Sequence, residues 1–169
     1  DTSGSIAVTD IVFKKPGALN LVAKTKTVTD AATAAALIKT LTKDTILEFS
    51  GAINNANLRD IVAAMKYNDS VKVALDLSHT TGITTLSAAD DLFKDCTTLL
   101  GISLPSTVTT IEAHAFEGCT ALAEVKLPDS LQEIPDYAFY KCTALKTINF
   151  PSKLHSIGSY AFGGYNDKE

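Results

Sequence analysis

The sequence predicts an α/β solenoid, in which short coils stack and each coil adds one strand to a single parallel sheet. In the C-terminal half, four residue types share one period of 23 residues, each unit holds an apolar–polar–apolar triplet, and a proline follows each triplet. A coil of this length cannot bury an apolar face by itself, whereas stacked coils can. A packing unit therefore has a physical reason to recur that a catalytic motif lacks.

The period is carried by phenylalanine, cysteine, leucine and proline. The recurring residues are Phe93, Phe116, Phe139 and Phe162; Cys96, Cys119 and Cys142; Leu99, Leu122 and Leu145; and Pro105, Pro128 and Pro151. Tyr165 stands in the next cysteine position. Because four residue types share one period, the repeat is not a chance coincidence.

Each unit contains one short strand. The triplets Val125-Lys126-Leu127 and Ile148-Asn149-Phe150 alternate in polarity, which predicts a strand with one buried face. The proline that follows cannot donate to a ladder, so it ends the strand and turns the chain. Leu131 and Ile134 then supply apolar anchors for the return path through a loop.

The aligned unit A-F-x-x-C-T-x-L-x-x-Φ-x-Φ-P-x-x-Φ-x-x-I, with Φ apolar, resembles the leucine-rich repeat core. Its Pro-x-x-Leu, in place of the more usual Asn, resembles the BspA-like class, and the match covers roughly Phe93 to Phe162. The resemblance implies a right-handed leucine-rich repeat solenoid with its parallel sheet on the concave face. It also implies a bacterial cell-surface or secreted adhesin that binds proteins of the host matrix or of neighbouring cells, its signal or lipid anchor already removed.

The repeat continues upstream in a looser form. Leu75-Asp76-Leu77 precedes Ile102-Ser103-Leu104 by 27 residues, and Leu47-Glu48-Phe49 precedes it by a further 28. The extra length holds an apolar stripe at i, i+3, i+4 and i+7, formed by Leu58, Ile61, Val62 and Met65. This spacing predicts a helix that begins near Asn57, and a second helix is predicted from Asp30 to about Leu41.

These patterns divide the chain into parts. In residues 1–28, SIAVTDIVF alternates and KKPG signals a turn, which predicts strands that cap the stack; a linker or the remnant of another domain is the alternative. Residues 29–169 are predicted to form the solenoid. Within it, helical repeats run to about residue 92 and BspA-like 23-residue repeats occupy 93–165.

Composition excludes several classes of protein. The net charge of −4 argues against a nucleic-acid binder. No run reaches the roughly 18 apolar residues of a membrane span. Three cysteines, an odd number, argue against a disulfide framework, and no C-x-x-C is present. We expect the three thiols to be buried in the core as small hydrophobes.

No catalytic, metal or cofactor site is predicted. His79, His114 and His155 fall at different phases of the repeat. Ser78-His79 beside Asp76 is the nearest approach to a hydrolytic site. Adjacent residues of an extended chain point to opposite faces, so we expect Ser78 and His79 not to bond each other. We therefore expect a protein that is not an enzyme.

The variable polar residues of the strands form the predicted protein-binding surface on the concave sheet, the face that solenoids tend to use. They are Glu48, Asp76, Ser103, Glu124, Lys126, Thr147 and Asn149, with Gly101 beside them. The alternative is a merely solvated face, since the set has no aromatic anchor.

The most C-terminal strand triplet, Ile148-Asn149-Phe150, is predicted to form an edge of the sheet. An unpaired edge invites pairing with another chain, so we expect end-to-end self-association through it. A structural or self-association module without a specific ligand is thus the alternative function. An accessory unit of a carbohydrate- or matrix-degrading protein is a third hypothesis.

Overall fold

Two helices and nine strands lie in residues 31–87 and 91–164, the part of the chain that the computed structural model describes. In chain order they are α1 (Ala31–Lys39), β1 (Thr45–Ala52), α2 (Asn55–Tyr67), β2 (Val73–Thr81), β3 (Thr85–Leu86), β4 (Leu99–Ser103), β5 (Thr110–Ile111), β6 (Glu124–Lys126), β7 (Glu133–Ile134), β8 (Thr147–Ile148) and β9 (Ser156–Ile157). The predicted cap, residues 1–28, lies outside the described residues. The boundary at about residue 92 stays a prediction.

The main sheet has five parallel strands in the order β1-β2-β4-β6-β8, as the repeat predicts. Its register aligns the first apolar residue of every triplet, from Leu47 through to Ile148. The apolar members of the first four triplets are buried. The fifth triplet departs from the prediction, because β8 ends at Ile148 and Phe150 is 56% exposed. Its apolar face lacks a following coil among the described residues.

The return segments also form strands, where the sequence predicted loops. β3 pairs with β5 and β7 pairs with β9, both in parallel, in two small two-stranded sheets. Ile111 and Ile134 point into the core from these strands and are buried. The predicted anchors Leu131 and Ile134 are therefore buried, whereas Ile157, the equivalent of Ile134 one period later, is 53% exposed. The backbone of Ile134 and Ile157 pairs from coil to coil in addition.

A column of phenylalanine rings fills the centre of the stack. Adjacent centroids are separated by 5.1 Å from Phe93 to Phe116, 5.1 Å from Phe116 to Phe139, and 5.4 Å from Phe139 to Phe162. These separations are close to the ~4.8 Å between neighbouring strands, so each coil brings its ring directly onto the ring before it. The 23-residue period thus appears in space as one ring per strand.

Both predicted helices are present, but α2 begins earlier than expected. Its N-cap is Asn54, whose Oδ1 accepts from the backbone N–H of Asn57 at 2.9 Å, while Asn57 Oδ1 accepts from the N–H of Asn54 at 3.1 Å. Asn57 is therefore the second member of a capping box and lies inside the first turn. The predicted apolar stripe is fully buried.

Each 23-residue coil turns through left-handed backbone positions that the sequence did not reveal. One series comprises Asp91, His114, Tyr137 and Tyr160, with φ of 46°, 65°, 56° and 54°. The other comprises Asp95, Gly118, Lys141 and Gly164, with φ of 55°, 73°, 59° and 90°. Glycine is the usual signal for this conformation, and asparagine, aspartate and histidine are also enriched in it. Tyr137, Lys141 and Tyr160 belong to none of these types, so at these three positions the turn geometry is imposed by stacking rather than by local preference.

The three cysteines are free and buried, as predicted. Each of the last two thiols donates to a carbonyl of the preceding coil: Cys119 Sγ lies 2.9 Å from Phe93 O, and Cys142 Sγ lies 3.1 Å from Phe116 O. Burial raises the pKa of the Cys142 thiol to about 12 and also raises the pKa of Cys119. The thiols are therefore protonated donors that join neighbouring coils.

We predict that all three thiols react slowly with a thiol reagent in the folded protein and rapidly after unfolding. Cys119→Ser should lower the free energy of unfolding by roughly 1–3 kcal/mol, because a smaller and more polar group is then buried. Denaturant unfolding of the variant measures this loss. Fast labelling of all three thiols in the native protein would contradict the buried column.

Candidate protein-binding surface

Four predicted contact residues form one continuous row across the outer face of the main sheet. Glu48 pairs in register with Asp76, Asp76 with Ser103, and Ser103 with Lys126. The row is not evenly accessible, because Asp76 is 8% and Ser103 6% exposed whereas Lys126 is exposed. Asp76 Oδ1 also accepts from the backbone N–H of Ser78 at 2.9 Å. The middle of the row is thus held within the fold, the Glu48 side chain is only 15% exposed, and only the Lys126 end is open.

The remaining predicted residues lie at the C-terminal end of this face. Gly101, Glu124 and Thr147 form a second row in register. Asn149 follows β8, and its side chain takes the place of a strand backbone: Asn149 Oδ1 accepts from Leu127 N at 2.7 Å, and Asn149 Nδ2 donates to Leu127 O at 2.9 Å. Asn149 is exposed, but its amide already binds the neighbouring coil.

An open groove of about 600 Å³ covers this C-terminal end. It is lined by Ser78, Leu104, Ser106, Glu124, Val125, Lys126, Leu127, Pro128, Asp129, Thr147 and Asn149. The groove brings together four of the seven predicted residues, namely Glu124, Lys126, Thr147 and Asn149, and excludes the other three. Seven of the eleven lining residues are polar or charged, and the four apolar ones, Leu104, Val125, Leu127 and Pro128, are buried.

A β-bulge alters the N-terminal end of the face. Glu48 pairs with Asp76 but Ser50 pairs with His79, so β2 has one more residue than β1 across this interval. The extra residue breaks the alternation, and Ser78 Oγ comes within 3.1 Å of His79 Nδ1. The expectation that these two side chains would not bond is therefore wrong. It assumed regular strand geometry at a place where the two strands differ in length.

The bulge does not assemble a catalytic relay. Glu48 Oε1 lies 3.3 Å from His79 Nδ1, the same ring nitrogen that contacts Ser78. A Ser–His–acid relay uses the two ring nitrogens separately, one for the nucleophile and one for the acid. Within residues 31–87 and 91–164, no group of three or more His, Cys, Asp or Glu side chains could hold a metal ion.

A second polar cluster lies among the turns, away from the main sheet, and the sequence analysis missed it. Glu117 Oε2 is 2.7 Å from His114 Nδ1 and 3.4 Å from Lys94 Nζ. Burial acts to raise the pKa of Glu117, but hydrogen bonds from His114 and Lys94 and their charges outweigh burial and lower it. A signal was present, because Lys94 and Glu117 are one period apart and therefore adjacent in space.

An aromatic ladder runs beside this cluster. The ring centroids of His114 and Tyr137 are 4.9 Å apart and those of Tyr137 and Tyr160 are 5.3 Å apart, both in stacked geometry. Tyr140 meets Tyr137 edge-on at 5.3 Å. These residues also follow the period, so stacking between the coils accounts for the first three.

We predict that Glu117→Gln is less stable than the wild type by about 0.5–1 kcal/mol near neutral pH, the usual scale for a partly exposed pair. A carboxyl whose pKa is lower in the folded state stabilises the fold above its unfolded-state pKa, and that contribution is lost as the pH falls through the folded-state pKa. The difference between the two proteins should therefore disappear in acid. Urea unfolding at several pH values measures it.

Glu133→Gln, which changes an exposed carboxylate of β7, is the matched control. A Glu117→Gln protein that stays equally destabilised at acid pH would show that the effect is steric and not a property of the charge.

The comparison with known protein families finds a match in the repeat region. Residues 85–168, about half of the chain, match the sequence profile of the BspA-type leucine-rich repeat region, in six copies. The chain belongs to the BspA-type leucine-rich repeat family. BspA-type proteins are bacterial surface proteins that generally act as protein-interaction modules. No protein of curated function matches the sequence.

Several solved bacterial structures resemble this BspA-type chain. The T. pallidum leucine-rich repeat protein is 41% identical over 52% of this chain and 41% of its own, with a TM-score of 0.46. A leucine-rich repeat protein from Bacteroides ovatus is 31% identical over 61% and 25%, with a TM-score of 0.48. One from Eubacterium ventriosum is 26% identical over 71% and 32%, with a TM-score of 0.50, and it supports the fold.

The BspA-type chain therefore spans between 25% and 41% of the length of these structures. Across the described residues of the chain, neither helix is long and apolar enough to cross a membrane.

Proposed function

We propose that this BspA-type chain is a protein-binding module of a bacterial surface or secreted protein, and that it holds its partner in the groove at the C-terminal end of the main sheet. The observation that carries the proposal is the coincidence of that groove with four variable strand residues. The partner that we propose is a host or neighbouring-cell protein, which would make the chain an adhesin; the support for this is a family of bacterial surface proteins that generally act as protein-interaction modules.

The groove offers mainly polar and charged side chains to a partner. Leu104, Val125 and Leu127 also line it, but they are buried. Glu124 and Asp129 place two carboxylates on the rim against the single ammonium of Lys126. Complementary charges at a rim direct encounter and select partners more than they add affinity. A partner that presents basic residues fits this arrangement.

Not every predicted contact residue makes a sound test of the proposal. Asp76 is buried and holds the backbone of Ser78, so reversing its charge would disturb the fold. Glu124 and Lys126 flank Val125 in β6, and both line the groove. Exchanging these two charges keeps the net charge and leaves the buried Val125 between them unchanged.

We predict that the exchange Glu124→Lys with Lys126→Glu weakens binding to immobilised extracellular matrix and to intact bacterial cells by about tenfold or more, with little change in Tm. Biosensor titration and thermal unfolding measure the two effects. The matched control, Glu133→Lys with Lys153→Glu, changes exposed charges of the return path and should bind normally. Full affinity in the exchanged protein would exclude the groove.

Self-association is the alternative function, and the exposed C-terminal flank supports it. Phe150 is 56% exposed and Ile157 53%, whereas Leu127 and Ile134, their equivalents one period earlier, are 5% and 0% exposed. β8 is the edge of the main sheet and β9 the edge of a small one. Buried positions are thus left open at the end of the described stack.

If self-association is the function, the weight-average sedimentation coefficient should rise with protein concentration. Ile157→Lys should abolish the rise, because a charge at the flank opposes stacking. Tyr67→Lys, at an exposed tyrosine of α2, is the control that should behave as the wild type. A constant sedimentation coefficient over a hundredfold range would contradict this alternative.

A further inference from the structure

One junction between neighbouring coils lacks the backbone hydrogen bonds that the junctions on either side of it have. On the return path, these bonds run from Thr109 N to Thr84 O (2.9 Å) and Glu112 N to Leu86 O (3.0 Å) between β3 and β5, and from His155 N to Gln132 O (3.0 Å) and Gly158 N to Ile134 O (2.7 Å) between β7 and β9. No backbone hydrogen bond joins residues 105–113 to residues 127–135. The return path is therefore interrupted between β5 and β7, in the interior of the stack.

A proline accounts for the interruption. Glu112, Pro135 and Gly158 are equivalent residues, each one period from the next. The first and the last donate to the preceding coil, but Pro135 has no N–H with which to reach Ile111 O. Proline is confined to the edges of sheets for this reason, so β5 and β7 each end a two-stranded sheet. The main sheet is continuous through the same two coils.

The missing pairing leaves a gap with unbonded backbone groups on both sides. Gln132 N is equivalent to Thr109 N and His155 N but has no acceptor in the preceding coil, and Ile111 O has no donor in the following one. An open groove of about 490 Å³ lies over the gap and is lined from both strands, by Ile111 on one side and Glu133 on the other. Water can therefore reach the place where a ladder would otherwise exclude it.

The contacts that remain lie on either side of the gap. Leu104 N donates to Lys126 O at 2.9 Å at the end of the main sheet, and His114 N donates to Asp136 O at 3.2 Å where the turns begin. Between these two bonds, the return path is held largely by packing of buried apolar side chains, which is not directional. Opening at this junction should therefore cost less free energy than opening at the junctions on either side.

The gap is connected to the groove of the main sheet through one hydroxyl. Ser130 Oγ donates to Ser106 O at 3.0 Å and to Val108 O at 2.6 Å, across the same junction. Ser106 and Asp129, the residue before Ser130, both line the groove of the main sheet. Movement of the two coils at the gap therefore changes the separation of two lining residues of that groove.

We propose that the junction between β5 and β7 is a hinge at which the two coils open and close on the return path, and that the groove of the main sheet adjusts its width to a partner through this hinge. The hinge rests on the interrupted ladder alone. The adjustment of the groove rests in addition on the proposed function.

Restoring the missing N–H tests the hinge. In Pro135→Ala the new N–H can donate to Ile111 O, so the protection factor of the Gln132 amide in hydrogen exchange should rise about tenfold. In the wild type, that amide should be on the order of tenfold less protected than the equivalent amide of His155. Pro105→Ala, at a position that is proline in each 23-residue coil, is the control and should leave Gln132 unchanged. Equal protection of Gln132 and His155 in the wild type, or no gain in Pro135→Ala, would overturn the hinge.

A reversible cross-link tests the effect of the hinge on the groove. Thr110 and Glu133 are exposed, equivalent residues of β5 and β7, and Thr110→Cys with Glu133→Cys allows a disulfide once their Cα atoms approach to about 4.4–6.8 Å. We expect oxidation to close the gap and to weaken binding to immobilised extracellular matrix by about tenfold, and reduction to restore it. Glu133→Cys alone, treated in the same way, is the matched control.

The possible results separate the hinge from the proposed function. A pair of cysteines that does not oxidise would show that the gap does not close, which contradicts the hinge. Oxidation without a change in binding would overturn the adjustment of the groove and leave the hinge in place. If the wild type and the reduced variant both fail to bind, the proposed function is wrong and the adjustment of the groove with it, whereas hydrogen exchange still decides the hinge.

Discussion

The contact between neighbouring coils is the interaction on which the whole structure depends. A 23-residue coil has one apolar face and no second layer of its own, so its triplet, its phenylalanine and its thiol are buried only by the coils beside it. This contact takes three forms. The Phe rings stack at 5.1 Å, the Cys119 thiol donates to a carbonyl of the preceding coil, and turn N–H groups such as that of Phe116 donate to carbonyls of the following coil. Stability is therefore distributed over the junctions between coils.

The 23-residue period predicts the features that depend on how coils stack, namely the parallel strands and their register. It does not predict the features that depend on local hydrogen bonds, namely the start of α2 and the β-bulge. Recurrence of Phe93 and Leu99 determines that strands lie parallel and triplets lie in register, because equivalent residues must stack. The start of α2 was misplaced because Asn54 and Asn57 are both good caps, and only their reciprocal bonds decide between them. The bulge at Ser78 depends on how β1 pairs with β2, which no spacing reveals.

The candidate surface was also predicted only in part: the sequence predicts which way its residues face but not how deeply they are buried. The sequence identified which residues point out of the main sheet, since alternation determines the face, but it could not give their depth. Asp76 and Ser103 lie between flanking strands and are nearly covered, whereas the groove opens where Pro128 turns the chain away. The Glu117 cluster and the tyrosine ladder could have been found, because Lys94 to Glu117 and Tyr137 to Tyr160 are single periods.

The hydrogen bonds between the turns of the later coils all run in one direction: Phe116 N donates to Ala138 O, and Phe139 N to Ala161 O, in the following coil. Every junction between these turns presents the same donors, acceptors and rings, so a whole unit can be added or removed between Phe93 and Phe162 without changing these contacts on either side. Each such step moves the two ends apart by one strand spacing, ~4.8 Å. A change of any other length would bring residues of different repeat positions into contact; a shift of three residues, for example, would place phenylalanine on cysteine. The distance between the groove and the helical coils can therefore change only by whole 23-residue units, and the groove keeps its shape when it does.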